Sequence, residues 1–326
     1  MNKKRNLVND NIKTAYLFIA IIIFLFSACN IFSFKSKQVV SALETEHVSE
    51  PEQPVIPPPP TRAELVMRAI FEAYRDQVYK VEFQNDDWTI LMRGKLYYYA
   101  GGKILPESYL ENADKYRPYP FYYYTEELPP WTEPGPQDIE RYKTWTSNRS
   151  QTTLQRSAFF LNELWQASTR AETENQLVKI NFLGKPTRVH KGIQQKLAVI
   201  EERIKTAAKT DNTLQKWIDN LGSLEGYGWR NIQNTQSRSY HSYGLAVDLL
   251  PKSLGGKQTY WLWTSQNRND WWNVSYNERY HPPEAVIKAF EANGFIWGGK
   301  WPMFDTMHFE YRPEVLYLNG MPPAEK

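Results

Sequence analysis

The sequence predicts an α+β fold: a small antiparallel sheet with flanking helices, preceded by a small helix plus β-meander region. Three observations carry this. Apolar residues recur at helical spacing just after residue 61 and again across the middle of the chain. Short apolar runs bounded by Gly, Asn and Pro crowd the stretch from residue 245 to 311. Helical pattern first and short strands later is the order of α+β folds, not of alternating βαβ units. With 326 residues, 41% of them hydrophobic, the chain holds enough apolar material for one large or two modest domains.

The elements follow in order. Residues 1–28 read as an export signal: Lys3, Lys4, Arg5 and Lys13 precede the apolar run from Ala15 to Phe26, and small residues lead into Cys29. Phe26-Ser27-Ala28-Cys29 resembles a bacterial lipobox, with Phe26 where Leu is usual, which would make Cys29 the lipidated residue. The alternative anchor is an uncleaved helix, since the apolar stretch runs on to Phe34 and reaches about 20 residues, enough to span a bilayer. Either reading places the folded part outside the cytoplasm, as a periplasmic lipoprotein or behind a single N-terminal membrane anchor. Residues 29–60 form a tether ending in Pro57-Pro-Pro-Pro60.

Residues 61–136 read as a small α/β region of unknown role. Thr61 with Glu64 suggests a capping box, and Leu65, Val66, Ala69, Ile70, Ala73 and Tyr74 continue as one amphipathic helix. Trp88–Met92, Lys95–Ala100 and Lys103–Leu105 follow as a meander. The tyrosine triplets 97–99 and 122–124 offer either a stacking face for glycan or packing against a neighbouring module. Helical pattern spans about Gln137 to Thr169 and returns at Ile193, Leu197, Ile200 and Ile204, then at Leu214, Trp217 and Ile218. Leu245–Leu250 reads as a strand, 252–280 as a polar, Trp-rich insertion, and Pro283–Ala292 as a helix stopped by Asn293-Gly294. Phe295–Trp297 and His308–Tyr311 read as strands on either side of Gly298-Gly299.

Composition excludes some classes. The net charge of +3 comes from the basic N-terminus; without residues 1–28 the acidic and basic residues balance, so there is no electrostatic footprint for nucleic acid. Cys29 is the single cysteine, so no intramolecular disulfide is available. A monomer is expected.

Five histidines narrow the search for chemistry. His47 lies in the tether, while His190 and His281 sit at helix starts and read as capping or packing residues. His241 belongs to Ser239-Tyr-His241-Ser-Tyr-Gly244-Leu-Ala246-Val-Asp248. A carboxylate inside an apolar strand, as at Asp248, must be paired or bound to a metal. Gly244 permits a turn that folds His241 back beside Asp248, and Ala246 keeps the space between them small. His308 belongs to Asp305-Thr-Met-His308-Phe-Glu310, downstream of Trp297-Gly-Gly-Lys-Trp301, and Glu310 shares its face by strand alternation. Two imidazoles and a carboxylate make three ligands for one Zn2+ ion and leave a fourth position open, the arrangement of catalytic zinc. Asp305 is then the spare carboxylate for acid–base work.

These two motifs, Ser-x-His-x-x-Gly-x-Ala-x-Asp and Asp-x-x-His-Phe-Glu with Trp-Gly-Gly-x-Trp upstream, resemble the zinc D-alanyl-D-alanine carboxypeptidase family (peptidase family M15). That family also includes dipeptidases of the vancomycin-resistance type and endolysins that cut L-alanyl-D-glutamate. The resemblance implies that His241, Asp248 and His308 are zinc ligands, that Asp305 is the catalytic acid/base, and that Ser239 and Arg230 lie near substrate-binding positions. The segment between Arg230 and His241 is shorter than is usual there, which leaves Arg238 as an alternative clamp for a substrate carboxylate or oxyanion. The resemblance is clearest over 175–318, within an expected peptidase domain at 137–320. It implies a membrane-tethered metallopeptidase that hydrolyses peptidoglycan stem peptides, removing a terminal D-alanine or cutting an internal bond such as L-alanyl-D-glutamate. From a different class comes a catalytically idle wall-binding lipoprotein that uses residues 61–170; the intact Asp305 speaks against it. A peptidase acting on protein partners is a third, weaker reading.

Overall fold

Thr61 opens the first helix, α1 (Arg62–Ala73), by accepting the Glu64 N–H at 3.2 Å on its side chain. The Glu64 carboxylate pairs with Arg68 (2.8 Å), so the cap forms without the expected return bond. The computed structural model describes residues 59–148 and 154–324. Cys29, the apolar run before it, the tether up to residue 58 and His47 lie outside the described residues. No helix among the described residues is long and apolar enough to cross a membrane.

An antiparallel meander follows: β1 (Val78–Gln84), β2 (Asp87–Met92), β3 (Lys95–Tyr98) and β4 (Leu105–Pro106), paired in that order. β1 is an addition to the expected strands. It exposes Tyr79 and Phe83 and so lacks one clean apolar face. Tyr97 and Tyr98 are buried, so packing explains the first tyrosine triplet.

The helical stretch expected from 137 to 169 is two helices, α2 (Pro136–Asn148) and α3 (Phe159–Trp165). Between them β6 (Gln155–Arg156) pairs in parallel with β5 (Tyr116–Arg117). Next come α4 (Arg170–Asn175), a hairpin of β7 (Leu177–Phe182) and β8 (Lys185–His190), α5 (Lys191–Ala208) and α6 (Asn212–Asp219). A second antiparallel sheet runs in the order β11-β12-β10-β9, built from β9 (Leu221–Glu225), β10 (Ala246–Pro251), β11 (Phe295–Trp297) and β12 (His308–Tyr311). The insertion after β10 contains α7 (Trp261–Asn267). Helix α8 (Glu284–Glu291) precedes β11, and α9 (Pro313–Leu318) follows β12. Helices mixed with small antiparallel sheets make the fold α+β.

One apolar core joins these parts. Val66, Ile70, Val78 and Ile90 from the first 100 residues pack in the same cluster as Ile193, Leu197, Val247, Phe290 and Phe309. Polar ties reinforce it: the Tyr74 hydroxyl donates to Glu314 at 2.7 Å, and the fully buried Arg312 donates to Pro120 O at 2.6 Å. Residues Pro58–Lys326 accordingly form one compact unit.

Candidate active site

Strand register places the first two groups. β10 and β12 pair Ala246 with Glu310, Val247 with Phe309 and Asp248 with His308, so the Asp248 carboxylate and the His308 imidazole stand side by side on one sheet face. His241 arrives from a single helical turn at Tyr240–Tyr243, where the Ser239 hydroxyl accepts the His241 N–H at 3.3 Å. Gly244 ends that turn at φ +70°, and a Cβ there would stand 2.7 Å from the His190 nitrogen. Both the backbone conformation and the close approach therefore demand glycine, and the chain swings directly into β10.

The three donors converge. His308 Nδ1 lies 2.8 Å from Asp248 Oδ1, His241 Nε2 lies 3.1 Å from Asp248 Oδ2, and the two imidazole nitrogens are 3.2 Å apart. Zinc bonds of about 2.0–2.1 Å at tetrahedral angles set donors roughly 3.3 Å apart, so these residues fit the ion. The remaining ring nitrogens are held as a metal site requires. His241 donates from Nδ1 to Gly226 O at 2.6 Å, and His308 donates from Nε2 to Glu310 at 3.2 Å, which turns the other nitrogen of each ring toward the cluster.

Electrostatics point the same way. Burial opposes ionisation of Asp248, yet His241 and His308 hold its carboxyl well below the usual range. Burial also opposes charge on His308, but Asp248 and Glu310 push it well above an ordinary imidazole. The cluster attracts positive charge.

Asp305 lies on the same cleft. Its Oδ1 is shut off from solvent without a hydrogen-bond partner, and burial raises the carboxyl to about 7. The Trp-Gly-Gly segment fixes its loop: Asp305 N–H donates to Gly298 O at 3.0 Å, and a Cβ on Gly298 would come within 2.5 Å of Asp305 O. Trp297 Nε1 completes the brace by donating to Thr306 O at 2.8 Å.

The cleft measures about 950 Å3 and is lined by His241, Asp248, Asp305, His308, Glu310, Ser239 and Arg230. Arg230 belongs to that lining and Arg238 does not. The Arg238 guanidinium turns inward to Ala167 O (2.5 Å), Thr173 Oγ1 (2.9 Å) and Ser242 O (2.9 Å), over the Tyr243 ring, and braces the His241 turn from behind. His190 keeps its capping role: Nδ1 accepts from Gly192 N–H at 3.1 Å and Nε2 donates to Trp165 O at 3.0 Å. His281 packs its ring against Trp297. The cleft also draws on groups to which the motifs assign no role: Arg117, Tyr122 and Tyr123, then Trp145 and Arg156, with Trp263 from the insertion.

The His241-Asp248-His308 cluster could hold a metal ion, and Asp305, with its raised carboxyl, lies on the same cleft. Residues 233–311 match the family model described as D-alanyl-D-alanine carboxypeptidase, which supports the resemblance to the M15 peptidases over that segment. Residues 66–121 match a domain of unknown function (DUF8518). No solved structure matches the chain.

Proposed function

We propose that the protein is an exported, membrane-tethered zinc peptidase that acts as a monomer on peptidoglycan stem peptides, removing the terminal residue of a D-alanyl-D-alanine end. The observation that carries this reading is the convergence of His241, Asp248 and His308 in the cleft that Asp305 also lines, with the Asp305 Oδ1 buried and unpartnered. Bound by those three groups, zinc supplies a Lewis acid for the scissile carbonyl. Asp305 takes a proton from the attacking water and returns it to the leaving amine as the C–N bond breaks; a carboxyl raised to about 7 suits both transfers near neutral pH. Arg230 on the cleft wall takes the substrate's terminal carboxylate or the developing oxyanion, with Ser239 beside it. Glu310 keeps the His308 ring oriented.

The test is restoration. Full-length protein stripped by a chelator should lose hydrolysis of a peptide ending in D-alanyl-D-alanine and regain it with one equivalent of zinc; activity indifferent to chelation would refute the metal. The tether rests on Cys29, and Cys29→Ser should release a lipid label. One observation favours a second reading, an internal cut within the stem: a cleft of about 950 Å3 leaves room for more than a terminal dipeptide.

A further inference from the structure

The second tyrosine triplet divides between packing and exposure. Tyr124 is buried and Tyr122 stacks on Trp301 with ring centroids 5.2 Å apart, whereas Tyr123 is 87% exposed and lines the cleft that holds the metal cluster. Trp145, 43% exposed, and Trp263, 47% exposed, line the same cleft. Single exposed aromatic residues are ordinary on a protein surface, but three in one cleft make the kind of apolar patch that marks a ligand groove.

The insertion holds these rings beside the chemistry. Tyr260 bridges antiparallel to Asp305, the Trp261 N–H donates to Phe304 O at 2.9 Å, and Trp263 follows within the first turn of α7. Tyr260 meets the Trp263 ring edge-on at 5.6 Å, which fixes the indole without burying it. Trp261, Trp271, Val274 and Phe304 form an apolar cluster of their own, and Tyr142 of α2 packs on it, 5.7 Å from Trp271. That contact seats α2, whose Thr144, Trp145 and Asn148 all line the cleft. Thr144 and Asn148 are one helical turn apart, and Asn231 and Thr235 from the loop before His241 add further neutral hydrogen-bonding groups. Tyr123 and Trp145 lie outside both matched segments, so the family resemblance assigns them no role.

We propose that Tyr123, Trp145 and Trp263 form a saccharide subsite that binds the sugar to which a stem peptide is attached, so that the protein selects glycan-linked stems over free peptides. This rests on the peptidase reading above. A pyranose presents an apolar C–H face and a rim of hydroxyls. Rings left half in water can stack on that face, while neighbouring amide and hydroxyl side chains meet the rim. An apolar peptide side chain calls instead for a pocket that removes it from water. The cleft volume of about 950 Å3 is at the upper end for small-molecule sites and accommodates a sugar ring beside the peptide.

The test uses the full chain and three ligands that share one stem peptide ending in D-alanyl-D-alanine. The first is the free peptide, the second carries the N-acetylated disaccharide of a purified muropeptide at its N-terminus, and the third carries an apolar Phe-Leu extension there. Calorimetric Kd values are measured with Asp305→Ala to prevent turnover, and kcat/KM with the wild-type residue at 305. The disaccharide form should bind about 10- to 100-fold more tightly than the free peptide, and the apolar form should gain little. Trp145→Ala and Trp263→Ala should each lower that preference about 5- to 10-fold, and Trp263→Phe, which keeps a ring, should give an intermediate value. Tyr79→Ala, on an exposed ring of β1 that does not line the cleft, should retain the full preference. The Tm of both alanine variants should stay within about 2 °C of the wild type, because the rings they remove are half in water; a structural tryptophan would lower it. Equal binding of the disaccharide form and the free peptide, an equal gain from the apolar extension, binding of none of the three, or a preference that survives Trp145→Ala combined with Trp263→Ala would overturn the subsite. Hydrolysis without preference refutes the subsite and leaves the peptidase, whereas preference in binding without hydrolysis supports the subsite and refutes the peptidase.

Discussion

Replacing Arg312 with methionine removes a cation that is fully buried and surrounded by acceptors. Its guanidinium donates to Glu310 at 3.2 Å, to Pro120 O at 2.6 Å and to Glu314, and it lies over the Tyr119 ring. Glu314 is fully buried as well. Methionine fills similar space but leaves two carboxylates in the interior, with His308 and the Tyr74 hydroxyl as their remaining partners. Removing one partner of a buried ion pair costs about 3–5 kcal/mol. For a unit of this size each kcal/mol shifts Tm by roughly 2–4 °C, so the expected fall is about 6–20 °C. Glu314→Gln added to Arg312→Met should recover part of the loss, because the neutral amide no longer needs the cation. Differential scanning calorimetry of the wild-type, single and double variants at pH 7 measures both effects. A single variant melting within about 2 °C of the wild type would refute the claim that Arg312 joins the segment at Tyr119–Pro120 to the strand carrying His308.

Three further outcomes follow from the geometry. Asp248→Ala should lose bound zinc, read by metal analysis, and with it the rise in Tm that zinc gives the wild type; undiminished zinc would remove Asp248 from the ligand set. Gly244→Ala should destabilise by about 2 kcal/mol or more in urea unfolding, since φ is +70° and a Cβ would meet the His190 nitrogen at 2.7 Å. Burial lowers the His190 pKa from 6.5 to about 4. The unfolded chain therefore binds the proton first, and stability is lost as pH falls from about 6.5 to 4, by roughly 3 kcal/mol at most. His190→Gln should flatten that part of the urea-midpoint profile between pH 7 and 4, and an unchanged slope would contradict it.

The His-Asp-His cluster was legible because its chemistry is local. Gly244, Ala246 and Asp248 constrain one another over a few residues, and β10–β12 pairing then brings His308 opposite Asp248. The hairpin β7–β8 was hidden because its two-residue turn is Leu183-Gly184, where φ is positive at both residues without the Asn or Asp that usually marks such a turn. β1 was hidden by Tyr79 and Phe83 on its exposed side. Spacing could not separate Arg230 from Arg238, because the Asn231–Arg238 bridge closes a loop whose two ends face different ways, one to the cleft and one to the interior. Arg117 and Arg156 had no signal at all: they lie 39 positions apart in sequence, and only tertiary strand pairing makes them neighbours.

The most direct test of the central claim is mass spectrometry of purified muropeptides incubated with the full-length protein, with zinc and after chelation, alongside Asp305→Ala. The account predicts loss of one terminal alanine that requires both zinc and Asp305, with the variant slower by about 10²- to 10⁴-fold. Muropeptides left intact by folded, zinc-loaded wild-type protein would contradict it.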